Sequence, residues 1–280
     1  MLLTQNHHKM CLDPSSLVRS TTLLDSKLQE QVGSMDMVPL RAIFSEHCLA
    51  PDSNIVYTPP SHPGLSCTPK GEFLFVVGED GINQEEWKLK GGARPTCGSG
   101  SMVEGRNNKP LDELLTAPEA QAANLLPEEV LALRLCSGPQ HYRYNEILGQ
   151  SSTSEQVTSR NSYPTTIALI VSGIKKLSSV AKVPEGGAVY RGHAGAVLPD
   201  TFFERDEQGF AWGLEPGFMA TSRDETVALK CSSGEGEGRT IFKILLGKMS
   251  LGANIAWYAS PPPPQFNRIV LINMNRVLCY

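Results

Sequence analysis

The stretch GGAVYRGHAG, residues 186–195, marks the point where the sequence changes from helical periodicity to strands. It predicts a short apolar strand that ends near Arg191 and Gly192. Side chains alternate along a strand, so Val189 and Arg191 point to the same face. A guanidinium that shares a face with a valine is at least half-buried, and such a charge needs an anionic partner. The partner is either a carboxylate of the protein or a phosphate of a ligand.

Helical segments precede this strand. The segment LLPEEVLALRLCSGP, residues 125–139, has Pro127 at the first helical position and ends at Gly138-Pro139. The segment QHYRYNEILG, residues 140–149, predicts a second short helix that ends at Gly149. A long helix is predicted over residues 163–180, with an apolar stripe typical of ordinary core, formed by Ile167, Ile170, Val171, Ile174 and Leu177.

Strands dominate the chain after this helix. Four are predicted, with the sequences AVYRG (188–192), GFMATS (217–222), TIFKILL (240–246) and RIVLI (268–272). A short helix, RDETVALKC, lies between the second and third, and Ser222 and Glu225 have capping-box spacing at its start. Helices followed by strands predict an α+β fold, in a domain that spans residues 110–280.

Residues 1–109 have a different texture, with scattered Pro, Gly, Ser and Asn. This composition predicts a poorly ordered extension to which we assign no fold. One segment within it, GEFLFVVGEDG at residues 71–81, predicts a strand on which Phe73, Phe75 and Val77 share a face.

Composition excludes several classes of function. The net charge of −4 and the lack of clustered basic residues argue against a nucleic-acid partner. The N-terminus lacks the apolar run of a secretory signal, and no stretch approaches the ~18 apolar residues of a membrane span. The seven cysteines are widely spaced without C-x-x-C, so we expect free thiols. The six histidines lack ligand spacing, so we expect no metal. Because free thiols are typical of a reducing compartment, and because neither a signal peptide nor a membrane span is seen, we expect a cytoplasmic or otherwise intracellular protein.

Four segments, read together, resemble the arginine-specific mono-ADP-ribosyltransferases, the Arg–Ser–Glu class that is related to several bacterial toxins. The resemblance covers roughly residues 110–272 and rests on the order and spacing of LALRLCSGPQHYRYN, VYRG, GFMATSRDETVAL and TIFKILLGKMSLGANIAWYAS. It implies a helical N-terminal lobe followed by two short crossed β-sheets. It also implies NAD or NADP as a substrate, bound in the cleft between the sheets, and an arginine-bearing protein as the acceptor. Charge and hydropathy predict no nucleic-acid or membrane partner.

The resemblance also implies which residues bind NAD. Arg191 and Gly192 take the position that binds the phosphate side of NAD, and a guanidinium matches phosphate oxygens with a planar set of donors. The family's Ser-Thr-Ser motif, which shapes the nicotinamide-ribose pocket, corresponds here to Ala220, Thr221 and Ser222, preceded by Phe218. Each residue also has an ordinary structural interpretation: Arg191 in an ion pair, Thr221 as a strand former and Ser222 as a helix cap. Aromatic side chains that offer stacking for nicotinamide or adenine, or plain core packing, are Tyr190, Phe218, Trp257 and Tyr258.

The family's third motif, Glu-x-Glu, is missing. Breaking the nicotinamide–ribose bond builds oxocarbenium character that a fixed carboxylate stabilises. The segment SPPPPQFNRIVLI, residues 260–272, instead puts Phe266 and Arg268, or Gln265 and Asn267, at the two positions. The Glu-x-Glu that the chain does have, Glu235-Gly236-Glu237, comes one strand too early and is typical of a solvated loop.

Three hypotheses follow for the function. The first is an NAD(P)+–protein-arginine ADP-ribosyltransferase, which needs a substitute carboxylate or an error in the C-terminal sequence. The second is a catalytically inactive module that binds NAD or ADP-ribose. The third is a scaffold in which Arg191 forms a structural ion pair.

Overall fold

The computed structural model describes a defined set of residues, and every structural statement below concerns these alone. They are 37–57, 68–77, 111–150, 161–180, 187–194, 198–207, 211–213, 215, 217–232, 239–246, 252–255, 257, 268–272 and 277–279. All of them belong to one unit, Met37–Tyr280. The predicted site residues Gln265, Phe266, Asn267 and Tyr258 lie outside the described residues, as do Glu235 and Glu237.

Helices form the first part of the described chain. In chain order they are α1 (Met37–Phe44), a π-helical turn (Ser45–Leu49), α2 (Pro69–Val77), α3 (Leu111–Leu115), α4 (Pro118–Ala122), α5 (Pro127–Cys136), α6 (His141–Gln150) and α7 (Pro164–Val180). The predicted helices at residues 125–139, 140–149 and 163–180 are therefore present as α5, α6 and α7. A later short helix, α8 (Glu225–Cys231), lies between two strands.

The strands form two antiparallel sheets. They are β1 (Ala188–Ala194), β2 (Ala211–Gly213), β3 (Phe218–Ser222), β4 (Arg239–Leu245), β5 (Gly252–Asn254), β6 (Arg268–Ile272) and β7 (Val277–Cys279). Five of them form a sheet in the order β4-β1-β3-β6-β5, and β2 pairs with β7. The fold is α+β, as predicted, and β2, β5 and β7 are strands that the sequence analysis did not predict.

Residues 69–77 are a helix, so the strand predicted there is wrong. Pro69 occupies the first helical position, which suits its fixed φ and missing N–H. The sequence shows no apolar stripe typical of a surface helix, because Phe73, Phe75, Val76 and Val77 are all buried and lie on several sides of α2. The composition predicts that these residues belong to a poorly ordered extension, but α2 packs against α5, in the same unit as the later helices.

Buried polar groups join the helices. Glu129 lies on α5, and its Oε2 accepts hydrogen bonds from the backbone N–H of Leu126 and from Nζ of Lys176, both at 2.8 Å. Its Oε1 accepts a third from Ser172 Oγ at 2.7 Å. The carboxylate thus caps α5 and ties it to α7, against which α5 packs.

The five-stranded sheet has helices against it at two places. α8 packs on β1 and β3, and α7 packs on β5 and β6. Apolar side chains of β1 and β3 pack together with the residue that follows β4, in a cluster formed by Val189, Met219 and Leu246 with Ile244 beside it. This arrangement leaves the neighbouring strands β1 and β3 near the middle of the sheet, where the predicted site residues lie.

Candidate functional site

The two predicted NAD-binding motifs lie on adjacent strands. β1 and β3 run antiparallel, with Tyr190 opposite Ser222. Side chains alternate between the two faces of a sheet, and directly opposed residues share a face. Arg191 and Thr221 therefore share one face, whereas Gly192, Phe218 and Ser222 belong to the other. The structure brings all five residues together in sequence-distant strands but divides them between two faces.

Arg191 is paired with a protein carboxylate. Its Nη1 lies 3.1 Å from Oε2 of Glu215, and the side chains of the two residues are 18% and 30% exposed. Nη1 itself is buried, and its N–H groups do not point at the carboxylate oxygen well enough for a hydrogen bond. Burial lowers the pKa of Arg191, and the charge of Glu215 opposes that change. The contact is therefore an ion pair without good hydrogen-bond geometry.

Glu215 is positioned by the turn that leads into β3. Its other oxygen, Oε1, accepts a hydrogen bond from the backbone N–H of Gly217 at 3.2 Å. The next residue, Phe218, is held by Asn145 of α6: its N–H donates to Asn145 Oδ1 at 2.7 Å, and Asn145 Nδ2 donates to its carbonyl at 3.0 Å. These two reciprocal bonds fix the start of β3 against α6, and hence the turn that carries Glu215.

His193 lies two residues beyond Arg191 on the same face of β1. Burial lowers its pKa, and the positive charge of Arg191 lowers it further. Its ring stands edge-on to Phe242, with 5.9 Å between the centroids, and Phe202 is edge-on to the same phenylalanine at 6.3 Å. His193 is therefore a neutral, partly enclosed ring beside the Arg191–Glu215 pair at neutral pH.

Gly192 has a clear packing role. A Cβ atom at this position would come within 1.9 Å of the carbonyl oxygen of Ala228 in α8. Only a glycine lets β1 and α8 approach so closely, because backbone atoms cannot rotate away as a side chain does. Packing alone therefore accounts for glycine at the position where the resemblance implied an NAD contact.

Thr221 and Ser222 are both buried. Ser222 Oγ accepts a hydrogen bond from the backbone N–H of Asp224 at 3.0 Å. The predicted cap is wrong by two residues: Asp224 is the N-cap of α8, and its Oδ1 accepts from the N–H of Thr226 at 2.9 Å. Ser222 closes the turn before the cap, since serine readily bonds a backbone N–H two residues on.

Arg268 stands at one of the positions of the missing Glu-x-Glu motif and is the first residue of β6. Its Cα pairs with Ser222 of β3. Trp257, one of the predicted aromatic candidates, is partly buried and donates from Nε1 to the carbonyl of Asn254 at 3.1 Å. That bond occupies the polar atom of the indole in a local turn.

Sequence reasoning missed Glu215, Asn145 and His193. The signal for Glu215 was its place in Glu-Pro-Gly, immediately before the strand GFMATS, where a turn returns the chain to the sheet. His193 follows Arg191 at the spacing of two that puts both on one face.

In the part of the chain that the structure describes, no group of three or more His, Cys, Asp or Glu side chains could hold a metal ion. Among the same residues, no helix has the length and apolar character needed to cross a membrane. Cys48, Cys136 and Cys231 are not in disulfide bonds. Comparison of the chain with protein-family models, curated proteins and solved structures found no match.

Proposed function

We propose that this chain is an ADP-ribosyltransferase that uses NAD or NADP to modify arginine side chains of proteins. One observation carries the proposal: Arg191 and Thr221 lie on one face of neighbouring strands, β1 and β3. The family resemblance requires these two motifs to meet, although they are far apart in the sequence. The pairing of β1 with β3 supports that requirement.

Arg191 has the chemistry that recognition of a diphosphate needs. Its buried Nη1 has no well-aligned hydrogen bond, and a poorly satisfied buried donor costs free energy that an incoming acceptor recovers. Phosphate oxygens accept in the plane of a guanidinium and form short, charge-assisted bonds with it. A ligand phosphate at Arg191 would therefore satisfy guanidinium donors that Glu215 satisfies only in part.

The reaction breaks one bond and forms another. The C1′–nitrogen bond between ribose and nicotinamide breaks, and its electron pair stays on the nicotinamide, which leaves uncharged. A guanidino nitrogen of the acceptor bonds to C1′ and releases a proton to solvent. Charge builds on the ribose during this step, so the rate depends on a carboxylate beside it.

A second candidate function is a module that binds NAD or ADP-ribose without turnover. Two features of the sequence favour it. Ala220 removes one hydroxyl of the expected Ser-Thr-Ser motif, and no Asp or Glu follows Glu237. The carboxylate that does lie near Arg191, on Glu215, is already engaged in the ion pair.

The test is transfer of labelled ADP-ribose from NAD to agmatine and to polyarginine, with free nicotinamide followed in parallel. Arg191→Ala removes the proposed phosphate contact. Arg41→Ala is the matched control, because Arg41 is exposed on α1. Thermal melting of each variant shows whether it is folded.

Transfer that disappears in Arg191→Ala and persists in Arg41→Ala supports the transferase. NAD binding that depends on Arg191, without nicotinamide release, supports the binding module instead. Folded protein that neither binds nor consumes NAD overturns both and leaves the Arg191–Glu215 pair as a structural ion pair of a scaffold.

A further inference from the structure

We infer that Glu215 is a specificity-determining residue that competes with an anionic ligand for Arg191. The inference rests on the proposed function and deepens it. In the absence of ligand, Glu215 holds the guanidinium in place. A diphosphate must displace this carboxylate before it can take the same donors.

The geometry of the pair favours displacement. Oε2 of Glu215 is 3.1 Å from Nη1 of Arg191, yet the N–H groups of this nitrogen are poorly aligned with it. The carboxylate is also 30% exposed, so water screens it and its hold on the guanidinium is weak. A diphosphate carries more charge and more acceptor atoms than a carboxylate, and it can engage several guanidinium donors at once.

The two anions cannot share the site without cost. A phosphate within bonding distance of Arg191 would lie a few ångströms from the Glu215 carboxylate, and like charges at that distance repel. His193, on the same face, is neutral at neutral pH and offers no compensating charge, because burial and Arg191 lower its pKa. Glu215 therefore reduces the affinity of the site for anions, so that only a ligand with high negative charge and several acceptor atoms displaces it.

Among the described residues, Glu215 makes one hydrogen bond besides the ion pair. Its Oε1 accepts the N–H of Gly217 at 3.2 Å. The turn itself is held independently by the two bonds between Asn145 and Phe218. A substitution at Glu215 therefore changes the charge beside Arg191 without releasing the start of β3.

The experiment titrates the full chain with NAD and, separately, with inorganic pyrophosphate. Isothermal titration calorimetry at low ionic strength measures the binding. Glu215→Gln keeps the size of the side chain and an acceptor for Gly217 but removes the charge. Glu119→Gln is the matched control, since it removes one exposed carboxylate from α4, away from the sheet. Glu215→Ala serves as the second variant if the glutamine form does not fold.

Glu215→Gln is expected to bind both ligands roughly three- to tenfold more tightly than the parent, and Glu119→Gln to bind them as the parent does. The gain should shrink at high salt and vanish in the Arg191→Ala background. Equal or weaker binding by Glu215→Gln overturns the inference.

The titration with pyrophosphate distinguishes the competition at Arg191 from the proposed function. If no form binds NAD but Glu215→Gln binds pyrophosphate more tightly through Arg191, the competition stands and the proposed function fails. If neither ligand binds to the parent or to Glu215→Gln, the inference is overturned as well.

Discussion

The hydroxyl of Tyr144 donates a hydrogen bond to Nε2 of His47, with 2.8 Å between the two atoms. The other ring nitrogen of His47, Nδ1, donates to the carbonyl of Ile43 at 2.8 Å. The carbonyl of Ile43 can only accept, so Nδ1 carries a proton, and in the neutral imidazole Nε2 then accepts from Tyr144. They join the π-helical turn after α1 to α6, so an early segment of the chain and a helix near the site share one buried core.

We expect acid to destabilise the protein through His47. Burial lowers its pKa to about 4, and the nearby carboxylates of Glu46 and Asp52 only partly oppose this. In the unfolded chain the same group takes up its proton near pH 6.5. The contribution of neutral His47 to the free energy of unfolding is therefore fully present above that pH and is lost as the pH falls towards 4. Between pH 7 and pH 5 this group should cost about 2 kcal/mol. Chemical denaturation at both values of pH measures the loss.

His47→Gln is the variant that isolates this effect. It should be less stable than the parent at pH 7, because it disturbs a packed polar contact, but it should lose less stability on going to pH 5. An equal pH dependence in parent and variant would contradict the assignment.

We expect Glu46 to stabilise α7 from outside that helix. Its carboxylate accepts the backbone N–H groups of Thr165 and Thr166 at 2.7 and 3.0 Å, and the hydroxyl of Thr166 at 2.5 Å. These N–H groups lack partners within a helix, and a negative charge there also interacts favourably with the helix dipole. Glu46→Ala should lower the free energy of unfolding by about 1–2 kcal/mol, measured by urea denaturation.

Glu46→Gln should lie between the parent and the alanine variant, because it keeps an acceptor and loses the charge. Glu119→Ala, on an exposed position of α4, is the control for loss of a glutamate. Similar losses in Glu46→Ala and Glu119→Ala would show that the cap is unimportant.

We expect Gly192→Ala to disturb the contact between β1 and α8. The added methyl would overlap the carbonyl oxygen of Ala228 at 1.9 Å, and relief requires the backbone to shift. A loss of roughly 2–3 kcal/mol or more is typical of such overpacking. Gly149→Ala is the matched control, since a Cβ there meets nothing within 4 Å and alanine favours the helix. Thermal melting that ranks the two variants in the opposite order would refute the packing role of Gly192.

The sequence predicted elements with strong local signals and failed where contacts decide. Pro127 and Pro164 begin helices as expected, and β1 and β3 lie where alternating apolar residues put them. The alternation of Phe73, Phe75 and Val77 predicts a strand within residues 71–81, but Pro69–Val77 is a helix that buries most of its side chains and so shows no clear apolar stripe. The partner of Arg191 was foreseen as a choice between a carboxylate and a phosphate. The Glu-Pro-Gly turn signal does not identify Glu215 as that partner, because only the pairing of β3 with β1 brings it close to Arg191.

The missing carboxylate leads to the last prediction, which rests on the proposed function. Arg268 begins β6 with its Cα opposite Ser222, at one of the two positions where the resemblance implies a glutamate. Directly opposed residues share a face, so position 268 belongs to the face of Ser222, whereas Arg191 and Thr221 belong to the other face of the sheet. A carboxylate stabilises the charge that develops on the ribose only where it lies beside the bound NAD. We therefore expect Arg268→Glu to release nicotinamide from NAD no faster than the parent.

Arg268→Gln is the control that separates gain of a carboxylate from loss of the arginine. Both variants should release nicotinamide at the rate of the parent in folded protein, because neither changes a charge on the face that carries Arg191. A rate that rises on the order of 10²-fold in Arg268→Glu and stays unchanged in Arg268→Gln would contradict the placement of NAD on the face of Arg191 and Thr221.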